Sequence, residues 1–521
     1  MLLCVCLATV GQTGELPRST PEAQGISTGL LNNFYRHLVS KPDIDIHHIM
    51  VLRHDSVISE IHVAPYGPED MHNVFSVSKT VTALAVGLAV DDGLLDVDDK
   101  VSKYLRDKMP ATLSPGLDSL SIRNLLMMAT GRKVEQKMFA REDISDWLVE
   151  WFAGDFSNVG NRFAYDSMIS HVLAMILRRV TGQPMLDYLR ERIFTPMHIT
   201  HADWELGPDS VEIGGWGLRL QPESEAKLGL LLLHGGNWHG QQLVSQQWIH
   251  EMTQRRISTR TGNEPKLSFG QKFIRWCRSA WHALRALFTG YNIDDYFLGY
   301  GYQTKSIMYP RAEVFFAAGY GGQLIYVYPK SDMVIVINGR AADYGDQLNI
   351  IYNHLIEPMI MEKEFKPDPP VEMTIDIPRG QASSPREEKL LKSRIVLEDN
   401  ILYLKSIEVR SDGKDRIFTM TDKRGPLRAR AACGEWKITT NDERPIFGVD
   451  CVCQLVGIQR PFTSAATYAW TSANTLEMRL EWLDGGECRE MKMTIDGDHV
   501  TIEAIDDVDP DWRCTINGKI E

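Results

Sequence analysis

The pattern of hydrophobic and polar positions changes along the first half of the chain and predicts different elements in turn. Residues 46–64 alternate on either side of a polar His54-Asp55 pair, which predicts a β-hairpin. Residues 76–91 become almost wholly apolar after their first turn, and Gly93 follows as a helix stop, so a buried helix is predicted there. Residues 95–250 follow the helical period, with loops at three glycine-containing stretches: Gly131, Gly154–Asn161 and Gly207–Gly217.

The second half of the chain changes to the period of β-strands. Three strands are predicted in the region 312–339, and a helix is predicted near Gln347–Ile356. Beyond a stretch rich in proline, alternation dominates again, and Asp-Gly pairs mark the turns. The strands predicted in this last region are Ile401–Val409, Ile417–Thr421, Thr467–Ser472, Leu476–Trp482, Glu490–Ile495 and His499–Ile505.

These patterns predict an α+β protein of more than one domain, because 521 residues exceed the size of one ordinary domain. Residues 364–388 combine several prolines with serines and charged residues, a composition typical of a linker. We therefore predict a first domain at 15–363 and a second at 389–521. The second is expected to be an antiparallel β domain, either a sandwich or a lipocalin-like barrel.

Composition narrows the class of partner. The hydrophobic fraction of 43% and the charged fraction of 24% are those of a globular protein. The net charge of −13 argues against nucleic acid, because phosphate binding needs a basic face. It also argues against general attraction to anionic membranes. We expect a small-molecule or peptide substrate and no nucleic-acid partner, and the composition does not predict an oligomeric state.

The first residues leave the cellular compartment open. Residues 1–14 begin with an apolar run that resembles the hydrophobic part of a secretory signal, but the basic start is missing. A signal remnant predicts an exported or periplasmic protein. A buried first strand or a disordered tail also fits the segment, and the alternative location is then cytoplasmic.

Neither cysteine nor histidine spacing predicts a metal site. Cys451-Val452-Cys453 lacks the CxxC spacing, and His234 and His239 flank glycines out of helical register. Five of the eight cysteines lie in the last ninety residues, where disulfide pairing stays open and buried free thiols fit best. We expect neither a metal nor an organic cofactor.

The tetrapeptide Ser-x-x-Lys occurs three times, at Ser76–Lys79, Ser224–Lys227 and Ser411–Lys414. A serine and a lysine one helical turn apart can act as nucleophile and proton acceptor if burial lowers the lysine pKa. Only the first pair opens a strongly apolar helix. The second is predicted on a solvated helix face and the third in a turn. The alternative for the first pair is that Lys79 reaches out to solvent and only caps the helix.

Three motifs in order resemble one family. Phe75-Ser76-Val77-Ser78-Lys79-Thr80 resembles the first active-site motif of the class C β-lactamases and their relatives, which include D,D-peptidases, family VIII esterases and 6-aminohexanoate-oligomer hydrolases. Tyr165-Asp166-Ser167 matches their Tyr-x-Asn/Ser motif. Their third motif is Lys-Thr-Gly, and this chain instead has Gly319-Tyr320-Gly321-Gly322-Gln323, which resembles a variant found outside the true β-lactamases. A plain turn between strands is the alternative for that segment.

The resemblance covers roughly residues 15–360 and implies a fold and a set of roles. The fold is β-lactamase/transpeptidase-like, with an antiparallel sheet flanked by helices and a helical subdomain. Ser76 would attack a carbonyl, Lys79 would accept its proton, and Tyr165 would relay a proton to the leaving group. The oxyanion hole would be formed by the backbone N–H groups of Ser76 and Gln323. The substrate site would be lined by Ser167, Tyr320, Gly321 and Gly322.

The resemblance also implies an activity, namely a serine hydrolase that cleaves an ester, amide or peptide bond through an acyl-enzyme on Ser76. The lysine of Lys-Thr-Gly normally offers its charge to a substrate carboxylate, so its absence predicts neutral substrates rather than penicillins. Asp166 either favours an amine-bearing substrate or faces solvent. The alternatives are a D,D-peptidase or β-lactamase, and a non-catalytic penicillin-binding or sensor protein.

An insertion relative to these relatives lies at residues 271–297. Trp281, Leu284 and Phe288 fall at helical spacing, with basic residues nearby. The segment fits a lid, a dimer contact, a membrane-surface helix or a helix packed on the domain. Membrane contact is therefore expected only through this insertion, if at all.

Overall fold

The computed structural model describes residues 14–132, 146–259, 298–422, 425–442, 461–506 and 513–521. The 271–297 insertion, the Cys451–Cys453 pair and the signal remnant other than Gly14 lie outside these residues. In the first 363 residues the strands are β1 (Ile44–Arg53), β2 (Ser56–His62), β3 (His72–Asn73), β4 (Ala202–Trp204), β5 (Leu218–Leu220), β6 (Asn237–Trp238), β7 (Gln241–Gln242), β8 (Ile257–Ser258), β9 (Leu298–Tyr300), β10 (Lys305–Met308), β11 (Glu313–Gly319), β12 (Gln323–Tyr328) and β13 (Met333–Ala341).

The central sheet of this region is antiparallel, in the order β2-β1-β13-β12-β11-β10-β9-β8. Both of its faces are buried. On β1, Met50 and Leu52 belong to one hydrophobic cluster, whereas Ile49 and Val51 belong to another. Because successive residues of a strand point to opposite faces, each face needs its own cover.

Helices supply that cover on both faces. Those of the first region are α1 (Thr28–Val39), α2 (Ser78–Asp91), α3 (Ser102–Leu105), α4 (Pro115–Ser119), α5 (Ile122–Leu126), α6 (Trp147–Phe152), α7 (Ser167–Thr181), α8 (Met185–Leu189), α9 (Pro222–Leu233), α10 (Gln246–Thr253), α11 (Tyr344–Ile351) and α12 (Glu357–Ile360). The helices α2, α7 and α9 pack in the first cluster, and α1 and α11 pack in the second. This arrangement confirms the predicted antiparallel sheet flanked by helices. In the described part of the chain, no helix is long and apolar enough to cross a membrane.

Helix α9 corrects one prediction. Ser224 and Lys227 are only 3% and 5% exposed, so the solvated face predicted for this Ser-x-x-Lys is wrong. The reason is the run of apolar residues that follows, which buries the helix against the sheet. A Cβ on Gly229 would stand 2.5 Å from Val334, so the helix lies directly on β13.

The last region is a closed barrel. After helix α13 (Glu387–Leu391), its strands are β14 (Arg394–Leu397), β15 (Ser406–Asp412), β16 (Asp415–Asp422), β17 (Gly425–Cys433), β18 (Lys437–Asn441), β19 (Phe462–Trp470), β20 (Thr475–Trp482), β21 (Glu487–Asp496), β22 (His499–Asp506) and β23 (Arg513–Ile520). Neighbours run antiparallel from β17 back to β14 and on through β23 to β19, and a parallel pairing of β17 with β19 closes the ring. The barrel alternative is thus confirmed, and the sandwich is wrong. Cys433 and Cys514 are free thiols.

The barrel packs against the first region near the start of the active-site helix. Tyr66 donates a hydrogen bond of 2.9 Å to Glu481 of β20. The turn after β20 presses on His72 of β3, because a Cβ on Gly486 would stand 2.1 Å from that imidazole. His72 lies four residues before Ser76. The barrel therefore buttresses the segment that leads to the predicted nucleophile.

Candidate active site

Ser76 lies in a short 3-10 turn, Phe75–Val77, that leads directly into α2. The turn is set by Asn73, whose side-chain oxygen accepts a 3.0 Å hydrogen bond from the Phe75 N–H. Phe75 has a φ of 44°, a left-handed conformation that is costly for an aromatic residue. No described residue accepts a hydrogen bond from the Ser76 N–H. The serine thus combines a hydroxyl at a helix start with a free backbone donor.

Lys79 lies one turn further along and is 1% exposed, so the solvent-reaching alternative is wrong. Its Nζ stands 2.8 Å from Ser76 Oγ and donates a 2.6 Å hydrogen bond to the Gly215 carbonyl. The same atom lies 4.8 Å from the centre of the Tyr165 ring. Within the described residues, no carboxylate lies within ion-pair distance of this amine.

Tyr165 completes the cluster from a distant segment. It lies just before α7, and its ring centre is 4.8 Å from Lys79 Nζ, so the phenol lies beside the Ser76–Lys79 pair. The structure therefore brings together the three residues that the motifs single out: a hydroxyl, an amine and a phenol.

The surroundings shift the pKa of two of these groups. Burial lowers the pKa of Lys79; the Tyr165 oxygen opposes this shift, and the positive charge of Lys305 reinforces it, so the net direction is downward. Burial raises the pKa of Tyr165, but the charges of Lys79 and Lys305 outweigh burial and lower it. Both shifts reduce the cost of moving a proton away from the pair at neutral pH.

The loop between β4 and β5 supplies a contact that the sequence did not predict. Its Gly214 carbonyl accepts a 2.8 Å hydrogen bond from Thr82, and its Gly215 carbonyl accepts one from Lys79. A Cβ on Gly215 would lie 2.5 Å from the Ser167 carbonyl, so only glycine fits between α2 and α7. A backbone acceptor of this kind leaves no residue-type pattern in the sequence.

The segment predicted as the third motif is a 3-10 turn, Tyr320–Gly322, that joins β11 to β12. Gly321 and Gly322 have φ values of 71° and 87°, which favour glycine. The turn is therefore a strand connection, and it also lies beside the nucleophile. A Cβ on Gly319 would stand 2.4 Å from the Val74 carbonyl.

Two residues at this connection between β11 and β12, Tyr320 and Gln323, differ in exposure. Tyr320 is 59% exposed, and its ring lies 5.8 Å from that of Phe75, next to Ser76. Gln323 opens β12 in register with Gly319, and its buried side chain donates 2.8 Å to the Gly339 carbonyl. The Gln323 side chain is thus structural, and an oxyanion role for its N–H stays a prediction.

The remaining residues of the second motif behave differently from Tyr165. Asp166 is buried, caps α7 through the Met168 N–H, accepts 2.8 Å from Trp151 and lies 3.7 Å from Arg132. The predicted solvent exposure of Asp166 is therefore wrong, and a preference for an amine-bearing substrate stays a prediction. Ser167 is half-buried, and among the described residues its hydroxyl has no hydrogen-bond partner, so its substrate role stays a prediction.

Lys305 is a member of the cluster that the sequence missed. It lies on β10, its Nζ donates 2.8 Å to the Tyr344 hydroxyl, and it stands 5.5 Å from the centre of the Tyr165 ring. Its sequence signal was weak, namely a lysine that interrupts a short buried strand after a glycine- and tyrosine-rich stretch. In the parts of the chain that the structure describes, no set of three His, Cys, Asp or Glu side chains is placed to hold a metal ion.

The antiparallel sheet is flanked by helices, and a serine, a lysine and a tyrosine meet where one helix starts. This combination of fold and site is that of a known protein family. The sequence model of the Beta-lactamase family matches residues 47–346, and the chain belongs to this family.

Individual relatives are distant. The 6-aminohexanoate-dimer hydrolase of Paenarthrobacter ureafaciens is 24% identical over 220 residues, 39% of this chain and 56% of that protein. Other curated relatives are matched over less of their length, down to 29%. Among solved structures, the octameric penicillin-binding protein homologue from Pyrococcus abyssi is 15% identical with a TM-score of 0.48, covering 94% of this chain and 100% of that one. A penicillin-binding protein homologue from Caulobacter crescentus is 18% identical with a TM-score of 0.47, covering 66% and 98%.

Proposed function

We propose that this protein is a serine hydrolase that cleaves an ester, amide or peptide bond through an acyl-enzyme on Ser76. The observation that carries the proposal is the 2.8 Å contact between Ser76 Oγ and the buried Nζ of Lys79, with the Tyr165 ring centre 4.8 Å from the same nitrogen. A lysine held by neutral oxygens, with no carboxylate partner among the described residues, can exist as the free amine that a general base must be.

In the first step, Ser76 Oγ attacks the carbonyl carbon and its proton passes to Lys79 Nζ. The bond that forms is Oγ–C, and the carbonyl oxygen becomes an oxyanion. The Ser76 N–H is available to that oxyanion, and the Gln323 N–H is the proposed second donor. The helix start adds a favourable positive potential at the same point.

In the second step, the bond to the leaving group breaks and that group takes a proton. The Tyr165 ring centre lies 4.8 Å from Lys79 Nζ, and in this proposal the proton passes from Nζ through the phenol to the departing nitrogen or oxygen. Water then attacks the acyl-enzyme, and Tyr165 or Lys79 takes the water proton. Ser76 is released with its hydroxyl restored.

The names of relatives support the class of bond. The curated relative is named as a hydrolase of 6-aminohexanoate dimer, and a structural neighbour is named as a D-amino acid amidase. By resemblance, Tyr320 takes the position of the lysine of Lys-Thr-Gly in true β-lactamases, and we therefore expect inefficient β-lactam turnover. An amide or ester of a small acid is thus a better candidate than a penicillin.

A substrate panel tests the proposal. Nitrophenyl esters, D-amino-acid amides, short peptides and nitrocefin are compared with wild type and Ser76→Ala, and intact mass follows a fluorophosphonate probe. We expect turnover of at least one ester or amide and one stoichiometric adduct, both lost in Ser76→Ala. Turnover that survives in Ser76→Ala would overturn the proposal. A lasting penicillin adduct without turnover of any substrate would favour the sensor function instead.

A further inference from the structure

Lys305 is a second cation beside the catalytic cluster that the mechanism above does not use. Lys79 and Lys305 both approach the Tyr165 ring, with nitrogens 4.8 Å and 5.5 Å from its centre. Lys305 also stands 4.3 Å from the centre of the Tyr344 ring. Strand β10 carries Lys305, and the start of α11 carries Tyr344, which contacts it. Together they place a positive group next to the phenol of Tyr165, the proposed proton relay.

Among the described residues, no acidic side chain lies close enough to Lys305 to form an ion pair with it. Its one hydrogen bond in the described residues is to the neutral Tyr344 hydroxyl, and no described carboxylate lies within ion-pair distance. Two buried arginines are, by contrast, paired with acids: Arg219 with Asp203 at 3.2 Å, and Arg416 with Glu387 at 2.8 Å. A desolvated cation without an acid is costly unless a ligand supplies the negative charge.

Lys305 stays positively charged and is accessible to a substrate. Burial lowers the pKa of its ammonium, but the oxygens of Tyr344 and Tyr165, with a smaller contribution from the Asp343 carboxylate beyond ion-pair distance, outweigh burial, and the pKa is raised. The three side chains Lys305, Tyr165 and Tyr344 are each only half-buried. The cation is thus reachable from the same open side as the phenol.

We propose that Lys305 is the anion-binding residue of the substrate site and that the preferred acyl substrates carry a carboxylate. The inference rests on the proposed function, because it names the substrate class of that same site. It replaces the expectation of neutral substrates, which was drawn from the absence of a lysine at Tyr320. The site does have a positive charge, but on β10. In the sheet order β12-β11-β10, this strand lies beyond β11, the strand that leads to Tyr320.

A matched pair of esters tests the inference. 4-Nitrophenyl hemisuccinate carries a free carboxylate, and its methyl ester is a neutral substrate of nearly the same shape. We expect wild type to favour the hemisuccinate by about tenfold or more in kcat/KM, because hydrogen bonds to charged groups are the stronger ones. Lys305→Met should abolish that preference, and Lys305→Arg should retain most of it. Lys330→Met, at an exposed turn, is the charge-matched control and should keep the wild-type ratio.

The outcomes separate the inference from the function. If wild type hydrolyses both esters and Lys305→Met has the same ratio as wild type, the anion site is wrong and the hydrolase stands. If Lys305→Met loses activity equally on both esters, Lys305 tunes the catalytic pair rather than the substrate, and the inference also fails. If wild type hydrolyses neither ester and takes no fluorophosphonate, the proposed function itself fails.

A second measurement needs no variant. Phenylboronic acid and 3-carboxyphenylboronic acid both mimic the tetrahedral adduct of a serine, and only the second carries a carboxylate. We expect the carboxylated compound to inhibit wild type at least about fivefold more tightly, with the advantage reduced by added salt. Equal inhibition by the two compounds would overturn the inference even if Lys305→Met fails to fold.

Discussion

Helices α2 and α9 each begin with a Ser-x-x-Lys tetrapeptide, and the two lysines, Lys79 and Lys227, are 1% and 5% exposed. Lys79 contacts the Ser76 hydroxyl and a backbone carbonyl, and its Nζ lies 4.8 Å from the centre of the Tyr165 ring. Lys227 lies 3.7 Å from the Glu223 carboxylate and donates to the His198 carbonyl. The spacing and the burial are therefore alike, but the class of partner differs.

That difference decides what each lysine can do. Burial lowers the pKa of both lysines and sets the net direction of both; the largest opposing cause is Tyr165 at Lys79 and the Glu223 carboxylate at Lys227. A carboxylate keeps a lysine protonated and fixes it as an ion pair, whereas neutral oxygens allow it to lose the proton. No hydrogen bond joins Lys227 to Ser224 within the described residues. In the proposed function, the Ser-x-x-Lys of α2 is distinguished by a third residue, Tyr165, and not by its spacing.

The largest expected effect separates the two serines. Ser76→Ala should lower the rate of fluorophosphonate labelling by at least about four orders of magnitude, because the nucleophile itself is removed. Ser224→Ala should label within about twofold of wild type. Peptide mapping of the labelled protein checks both. Label found on Ser224 would remove the distinction between the helices.

The next effect concerns the phenol of Tyr165, which lies beside the Ser-x-x-Lys of α2 but not beside that of α9. Tyr165→Phe should lower kcat/KM for an ester by about two orders of magnitude, since the proton relay is lost while the ring is kept. Tyr35→Phe is the matched control, because its phenol donates 2.6 Å to Ser59 on the other face of the sheet. Tyr165→Phe with activity close to that of Tyr35→Phe would contradict the relay.

A smaller effect is expected on the free energy of unfolding. Lys227→Met should lower it by about 1 kcal/mol, because an ion pair and a hydrogen bond are lost. Lys79→Met should raise it by a similar amount at neutral pH, since it removes a buried amine without a carboxylate. The lowered pKa of Lys79 means that the unfolded chain binds more protons than the folded one, so this gain should shrink as pH rises. Urea unfolding at two pH values measures both. Equal losses in the two variants would show that the lysines are equivalent.

The smallest effect is a displaced pH profile. Activity should fall as pH falls through the lowered pKa of Lys79, because protonation removes the base. Lys305→Met removes a positive neighbour of both Lys79 and Tyr165, so the acid limb should move to higher pH. The kcat/KM profile on a neutral ester measures this shift without the carboxylate effect. A limb that stays in place would show that Lys305 does not act on the pair.

Much of the fold followed from periodicity. The hairpin at residues 46–64, the buried helix from 76 and the strands from 312 to 339 all appear close to their predicted bounds, because alternation and apolar runs report burial directly. The barrel was predicted only as one of two options, since closure depends on the pairing of β17 with β19, distant strands that no local pattern records.

Less of the candidate site could be predicted from the sequence. The three motif residues were named because each is a recognisable residue type in a recognisable place. Gly215 was missed because it contributes a carbonyl oxygen, which every residue has. Lys305 was missed because its role depends on which strand lies beside Tyr165. The solvated Ser224–Lys227 was a misinterpretation that the apolar run of α9 could have corrected.

The central claim is that Lys79 accepts the Ser76 proton, and one measurement tests it most directly. The second-order rate constant of fluorophosphonate labelling is compared for wild type, Lys79→Ala and Lys227→Ala, each shown to be folded. We predict a loss of at least about two orders of magnitude in Lys79→Ala and nearly full reactivity in Lys227→Ala. Nearly full reactivity in Lys79→Ala would contradict the claim.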